Sequence, residues 1–119
     1  MLKNSASSID DFIAKCGLDN KQICILEYGC GSGIDAKYFI EKYKNIAEYV
    51  GIDNSDEMLE KFKNTFSAKY VTSILADLDT YQPEINRYDL VFGMYAIHYT
   101  NDLALLMKKV YSGLKPGGY

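Results

Sequence analysis

The chain predicts an α/β fold in which helices cover a parallel sheet. Three observations carry this. Short, apolar, β-rich runs alternate with segments whose apolar residues recur at helical spacing. Two of the runs stop at an aspartate, Asp53 and Asp77, and an earlier one stops at a glycine-rich loop. The length of 119 residues, 48% of them hydrophobic, suits one core rather than several. Residues 1–119 are therefore read as one domain, with 1–21 as a helical lead-in.

Residues 6–16, ASSIDDFIAKC, read as a short helix. Ser8 can cap it, Ile9, Phe12 and Ile13 form its apolar stripe, and Gly17 ends it. QICILEY (22–28) has the composition of a buried strand. After the glycines, residues 34–45 place Ala36, Phe39, Ile40 and Tyr43 on one helical face. AEYVGID (47–53) is a second strand. Asn54 is expected to cap the next helix with Glu57 as its capping-box partner, and Met58, Leu59, Phe62 and Phe66 form that helix's buried face. YVTSILAD (70–77) is a third strand, and Pro83 breaks the connection that follows. YDLVFGMY (88–95) is a fourth strand. Leu103, Leu106, Met107, Val110 and Leu114 mark a last helix over 101–114, before the turn KPGGY.

Composition counts against several classes of function. A net charge of −3 shows no basic footprint for nucleic acid. The three cysteines, Cys16, Cys24 and Cys30, are odd in number and lack any C-x-x-C, which argues against a disulfide framework or a zinc site. They read as reduced thiols, and the expected location is cytoplasmic. MLKNSASSIDDF has no apolar h-region, and no run approaches the ~18 apolar residues of a membrane span.

In parallel sheets of this kind ligands bind beyond the carboxyl ends of the strands. The first such end is ILEYGCGSG (25–33), with glycine at 29, 31 and 33. Glycines let the chain turn tightly and let a ligand touch the main chain. The common dinucleotide fingerprint is G-x-G-x-x-G; here Ile34 stands where its last glycine would fall, and no G-K-[ST] follows. Glu27 before the loop and Asp35 in the first helical turn would repel a pyrophosphate, so a cofactor with a cationic portion fits better. Asp53 lies twenty residues after Gly33, where an acid can accept both hydroxyls of a ribose. Asp77 could accept an adenine amino group with Leu78 beside it.

Taken together, I-L-E-Y-G-C-G-S-G, V-G-I-D-N-S, A-D-L-D, Y-D-L-V-F-G-M-Y-A-I-H-Y and L-K-P-G-G-Y resemble a class I S-adenosylmethionine-dependent methyltransferase, over about residues 22–119. The resemblance implies a Rossmann-like three-layer αβα fold with a mostly parallel sheet. In the family, L-K-P-G-G leads to a fifth, a sixth and an antiparallel seventh strand. Here the sequence stops, so the expected order is 3-2-1-4 without strands 5–7. Three explanations stand: a fragment of a longer enzyme, a sheet completed by self-association through the open fourth strand, or a non-catalytic remnant.

The resemblance further implies S-adenosyl-L-methionine as cofactor and these contacts for it. Glu27, Gly29, Cys30 and Gly31 border the methionine moiety, with Cys30 also readable as a small buried side chain. Asp53 takes the ribose hydroxyls, and Asn54 and Met58 border the adenosine. Asp77 and Leu78 hold the adenine, and Gly93 and Met94 face the methionine part. Tyr28 departs from the small or aliphatic residue common there, so its ring must turn away from the cofactor or lie partly over it. Tyr95, His98 and Tyr99 are candidates to line the acceptor. His98, the sole histidine, could be a general base, a lining residue or a structural anchor. Tyr38, Tyr43, Tyr49 and Tyr70 are read as packing.

The expected activity is methyl transfer to a nucleophilic O, N or C of a small molecule. Against it stand a non-catalytic cofactor-binding or scaffolding domain, an NAD-dependent dehydrogenase, and, from the likeness of F-G-M-Y-A-I-H-Y, an RNA cap guanine-N7 methyltransferase.

Overall fold

A computed structural model describes residues 5–93 and 99–119, with side chains from Ser8 onward. Four parallel strands form one sheet: β1 (Ile23–Tyr28), β2 (Ile46–Asp53), β3 (Val71–Leu75) and β4 (Leu90–Phe92). Their order is β3-β2-β1-β4, as expected. The helices are α1 (Ser5–Lys15), α2 (Ile34–Lys42), α3 (Asp56–Thr65) and α4 (Leu103–Gly113).

Alternation along the strands sets the layers. Ile23, Ile25, Tyr49 and Leu90 turn to one face, where they meet Ile13 of α1, Ala36 and Phe39 of α2, and Leu59 and Phe62 of α3. Leu26, Tyr28, Val50 and Ile52 turn to the other face, toward Leu106 of α4. This answers the question posed by Tyr28. Its ring points into the α4 layer, 4% exposed, and meets Tyr81 edge-on at 6.2 Å. Its neighbour Glu27 falls on the opposite face.

Several boundaries differ from the sequence reading. Helix α1 begins three residues before Ser8, which lies inside it rather than capping it. The N-cap of α3 is Ser55, whose Oγ accepts from the Met58 amide at 3.2 Å; Asn54 could serve chemically, but Asp53 already accepts the Ser55 amide and fixes the turn one residue later. On α4, Leu106 is buried and Val110 packs with it, whereas Leu103 and Met107 are half exposed. No helix is found in the connection 76–89, so among the described residues α4 is the one helix on that face, with Leu78, Tyr81 and Tyr88 of the connection packed beside it.

The fourth strand is shorter than 88–95 within the described residues because Tyr88 and Asp89 serve another purpose. Asp89 is 2% exposed; its carboxylate accepts the Cys24 amide at 2.8 Å and lies 3.0 Å from the Lys115 ammonium. Burial raises its pKa, but these partners and Lys21 outweigh it and hold the carboxyl below the usual range. That cluster pins the lower ends of β1 and β4 and the turn after α4. The chain then returns beside β4: the Tyr119 amide donates to Asp89 O at 2.8 Å, and the Val91 amide donates to Tyr119 O at 2.7 Å. The β4 edge at Asp89 and Val91 is thus engaged by residue 119 instead of standing open. Phe12 of α1 packs edge-on against the Tyr119 ring.

Candidate functional site

Most of the described residues expected to touch a cofactor lie where β1, β2 and β3 end. Gly29, Gly31 and Gly33 all have positive φ, at 72°, 56° and 95°. The second and third have different reasons to be glycine. A methyl group at 33 would lie 2.8 Å from Phe66 Cε2 and 3.0 Å from Phe62 Cδ2, so this residue lets α2 settle onto α3. A methyl group at 31 would meet nothing within 4 Å, so here the backbone conformation is the demand and the space beside it is open.

The loop is fastened from β2. The Gly29 and Cys30 amides both donate to Ile52 O, at 2.8 and 2.9 Å. The Gly31 amide donates to Asp53 Oδ2 at 2.9 Å, and the Ser55 amide donates to Asp53 Oδ1 at 2.9 Å. An ionised carboxylate has about four lone-pair sites. Each Asp53 oxygen therefore keeps acceptor capacity for a ligand hydroxyl after holding the loop.

A cleft of about 320 Å³ opens above these strand ends, lined by Gly29, Ile52, Asp53, Asn54, Ala76, Asp77, Leu78 and Tyr99. That volume lies within the range of small-molecule and cofactor pockets. Five residues predicted to touch a cofactor meet there: Gly29, Asp53, Asn54, Asp77 and Leu78. Tyr99, predicted to line an acceptor, stands in the same cleft and is 76% exposed. Glu27 and Cys30 lie buried below the loop. Met58 does not line the cleft; it sits 39% exposed in the first turn of α3. Gly93 follows β4 and is half-buried. Met94, Tyr95 and His98 lie outside the described residues.

Electrostatically the floor is acidic. Glu27 is 1% exposed. Burial pushes its carboxyl up to about 8, with Tyr49 working against that rise and Asp35 and Asp53 adding to it. Burial likewise raises Asp35 and, strongly, the Cys30 thiol, which marks Cys30 as packing rather than as a nucleophile.

Two residues escaped the sequence reading. Tyr49, read as packing, donates its hydroxyl to Glu27 Oε1 at 2.6 Å. A buried tyrosine usually needs a hydroxyl partner, and the register places it diagonally across from the acid, so alternation held the signal. Asp79 binds the Thr100 hydroxyl and accepts the Asn101 amide at 2.9 Å, joining the turn after β3 to the segment beyond Tyr99. No cluster of metal-ligating side chains occurs among the described residues. No helix there is long and apolar enough to cross a membrane.

Comparison with known proteins places this architecture. Residues 25–118 match the family described as "Methyltransferase domain". A malonyl-[acyl-carrier protein] O-methyltransferase from Priestia megaterium is 32% identical over 99 residues, covering 83% of this chain and 35% of its own length. A solved S-adenosylmethionine-dependent methyltransferase from Mesorhizobium loti superimposes with a TM-score of 0.79 at 27% identity, covering 91% of this chain and 49% of that one. The plantazolicin methyltransferase BpumL, solved with a triazolic desmethylPZN analog and SAH, shares the fold at a TM-score of 0.78 and 20% identity, covering 95% of this chain and 45% of that one. The chain belongs to the class I S-adenosylmethionine-dependent methyltransferase family. It spans about a third of the length of the curated relative and about half of each solved neighbour.

Proposed function

We propose that this chain is the cofactor-binding part of an S-adenosylmethionine-dependent methyltransferase whose acceptor is a small molecule with a nucleophilic oxygen, nitrogen or carbon. The observation that carries the reading is a buried acid, Glu27, beneath an open glycine loop, with Asp35 and Asp53 close by and a cleft leading toward Asp77. A ligand with a positive end and an adenosine fits this set of acceptors; a pyrophosphate would meet like charge. Asp53 and Asn54 would hold the ribose, Asp77 and Leu78 the adenine, and Glu27, Gly29 and Gly31 the amino-acid end. Tyr99, beside Asp77 and Leu78, reads better against the adenosine than against the acceptor.

When bound, S-adenosylmethionine supplies a methyl carbon already activated by its sulfonium. The task left to the protein is alignment and exclusion of water. Tyr95 and His98 would stand on the acceptor side, with His98 the candidate for taking a proton from an oxygen nucleophile. That a similar protein is named an O-methyltransferase favours oxygen.

Calorimetric titration with S-adenosylhomocysteine and with NAD tests the reading. S-adenosylhomocysteine should bind, NAD should not, and Asp53→Ala should weaken the former. Binding of NAD at comparable strength, or S-adenosylhomocysteine binding that ignores Asp53, would overturn it.

A further inference from the structure

Glu27 and Tyr49 form a closed pair under the glycine loop. Tyr49 is fully buried, and it stands on β2 two residues before Gly51, the register partner of Glu27. Gly51 has no side chain of its own and is packed against by Cys30, while the tyrosine hydroxyl, from two residues earlier on β2, reaches Oε1. No hydrogen bond from a described residue goes to Oε2.

A buried carboxyl must be neutral or find a compensating partner. The titratable groups around Glu27 are Tyr49 from β2, Asp35 from α2, Asp53 at the end of β2, and Cys30 in the loop. Its register partner on β4, Phe92, is apolar. Among these described groups none is a cation, and only Tyr49 favours the ionised form. Among the described residues, then, nothing supplies a positive charge to this carboxyl, which leaves it suited to a ligand that brings one.

We propose that Tyr49 is the positioning residue for Glu27 in cofactor recognition: its phenol fixes Oε1 and leaves the second carboxyl oxygen for the α-ammonium at the amino-acid end of S-adenosylmethionine. The proposal rests on the reading that Glu27 faces that end of the cofactor. Without the phenol the carboxyl is free to rotate, and it ionises less readily. Discrimination for the amino-acid end should suffer, while recognition of adenosine, made at Asp53 and Asp77, should not.

The test compares two ligands by calorimetry on the wild type, Tyr49→Phe, Glu27→Gln and the double variant, each checked for folding by circular dichroism. S-adenosylhomocysteine carries the amino-acid end; 5′-methylthioadenosine lacks it. Tyr49→Phe should weaken S-adenosylhomocysteine about tenfold and leave 5′-methylthioadenosine within about twofold. The double variant should bind like Glu27→Gln alone, because Tyr49 acts through the carboxyl. The pH at which S-adenosylhomocysteine affinity levels off should also move upward in Tyr49→Phe. Equal loss of both ligands, loss of neither, or losses that add in the double variant would overturn the proposal. Should Glu27→Gln weaken S-adenosylhomocysteine while Tyr49→Phe does not, the role of Tyr49 alone falls. Should Glu27→Gln also be silent, the reading of Glu27 falls with it.

Discussion

The Asp53 carboxylate accepts the Gly31 amide at 2.9 Å and so ties the end of β2 to the loop after β1. Its other oxygen fixes the start of α3 through the Ser55 amide. Loop shape and helix entry therefore depend on one side chain before any ligand arrives. Asp53→Ala should destabilise the fold by about 1–3 kcal/mol and speed hydrogen exchange at Gly31 and Ser55. Asp53→Asn, with a single carbonyl oxygen, should fall between. Denaturant melts with site-resolved exchange check this; an unchanged Gly31 amide in Asp53→Ala would contradict it.

Glu27 makes the ligand-free protein sensitive to pH. Its carboxyl sits at about 8 in the fold against 4.5 for the ordinary group, so between those values the folded state holds a proton that the unfolded state has lost. The contribution is fully present below about pH 4.5 and is lost as pH rises through about 8. Glu27→Gln, which can still accept from Tyr49, should flatten this slope and raise the melting temperature at pH 8 relative to wild type, with little difference at pH 5. Thermal melts across that range measure it, and parallel curves would count against a buried neutral acid.

Gly51 is pressed against the loop. A methyl group there would lie 2.6 Å from Cys30 Cβ and 2.7 Å from its Sγ. Gly51→Ala should cost about 1–3 kcal/mol by overpacking. Cys30→Gly on that background should recover part of the loss, whereas Cys30→Ala, which keeps the Cβ, should recover less. Equal recovery by the two would show that the clash lies elsewhere.

Asp79 clasps the segment that follows Tyr99. Hydrogen bonds from the Thr100 hydroxyl and the Asn101 amide hold its carboxyl below the usual range, so the clasp should persist until the solution is distinctly acidic. Asp79→Ala and Thr100→Val should each accelerate exchange at Asn101 and reduce affinity for adenosine-containing ligands, because Tyr99 stands in the cleft. Unaltered affinity with an exposed Asn101 amide would separate the clasp from the site.

Much of this site is legible in the sequence because its parts are local. Apolar runs stop at Asp53 and Asp77, glycines follow Glu27, and a helix begins within a short loop of each of the first two strands. Chain reversal at a strand end needs few long-range facts. What was not legible depends on which distant groups meet. Asn54 and Ser55 are both competent caps, and the choice follows from the Asp53 carboxylate. Tyr49 has the profile of a core residue until the register puts Glu27 within reach. Asp79 gains its partners from twenty-one residues further on. The pairing of Tyr119 with Asp89 and Val91 follows from the return of the chain after α4, which no periodicity encodes.

The central claim is that an adenosine-bearing ligand with an α-ammonium lies across the ends of β1, β2 and β3. Amide chemical-shift mapping by nuclear magnetic resonance during titration with S-adenosylhomocysteine tests it most directly. The largest shifts should fall at Gly29, Gly31, Asn54 and Leu78, with Cys24 and Lys115 at the opposite end of the sheet unmoved. Saturating ligand that leaves the glycine loop unmoved, or shifts concentrated around Cys24 and Lys115, would contradict the account.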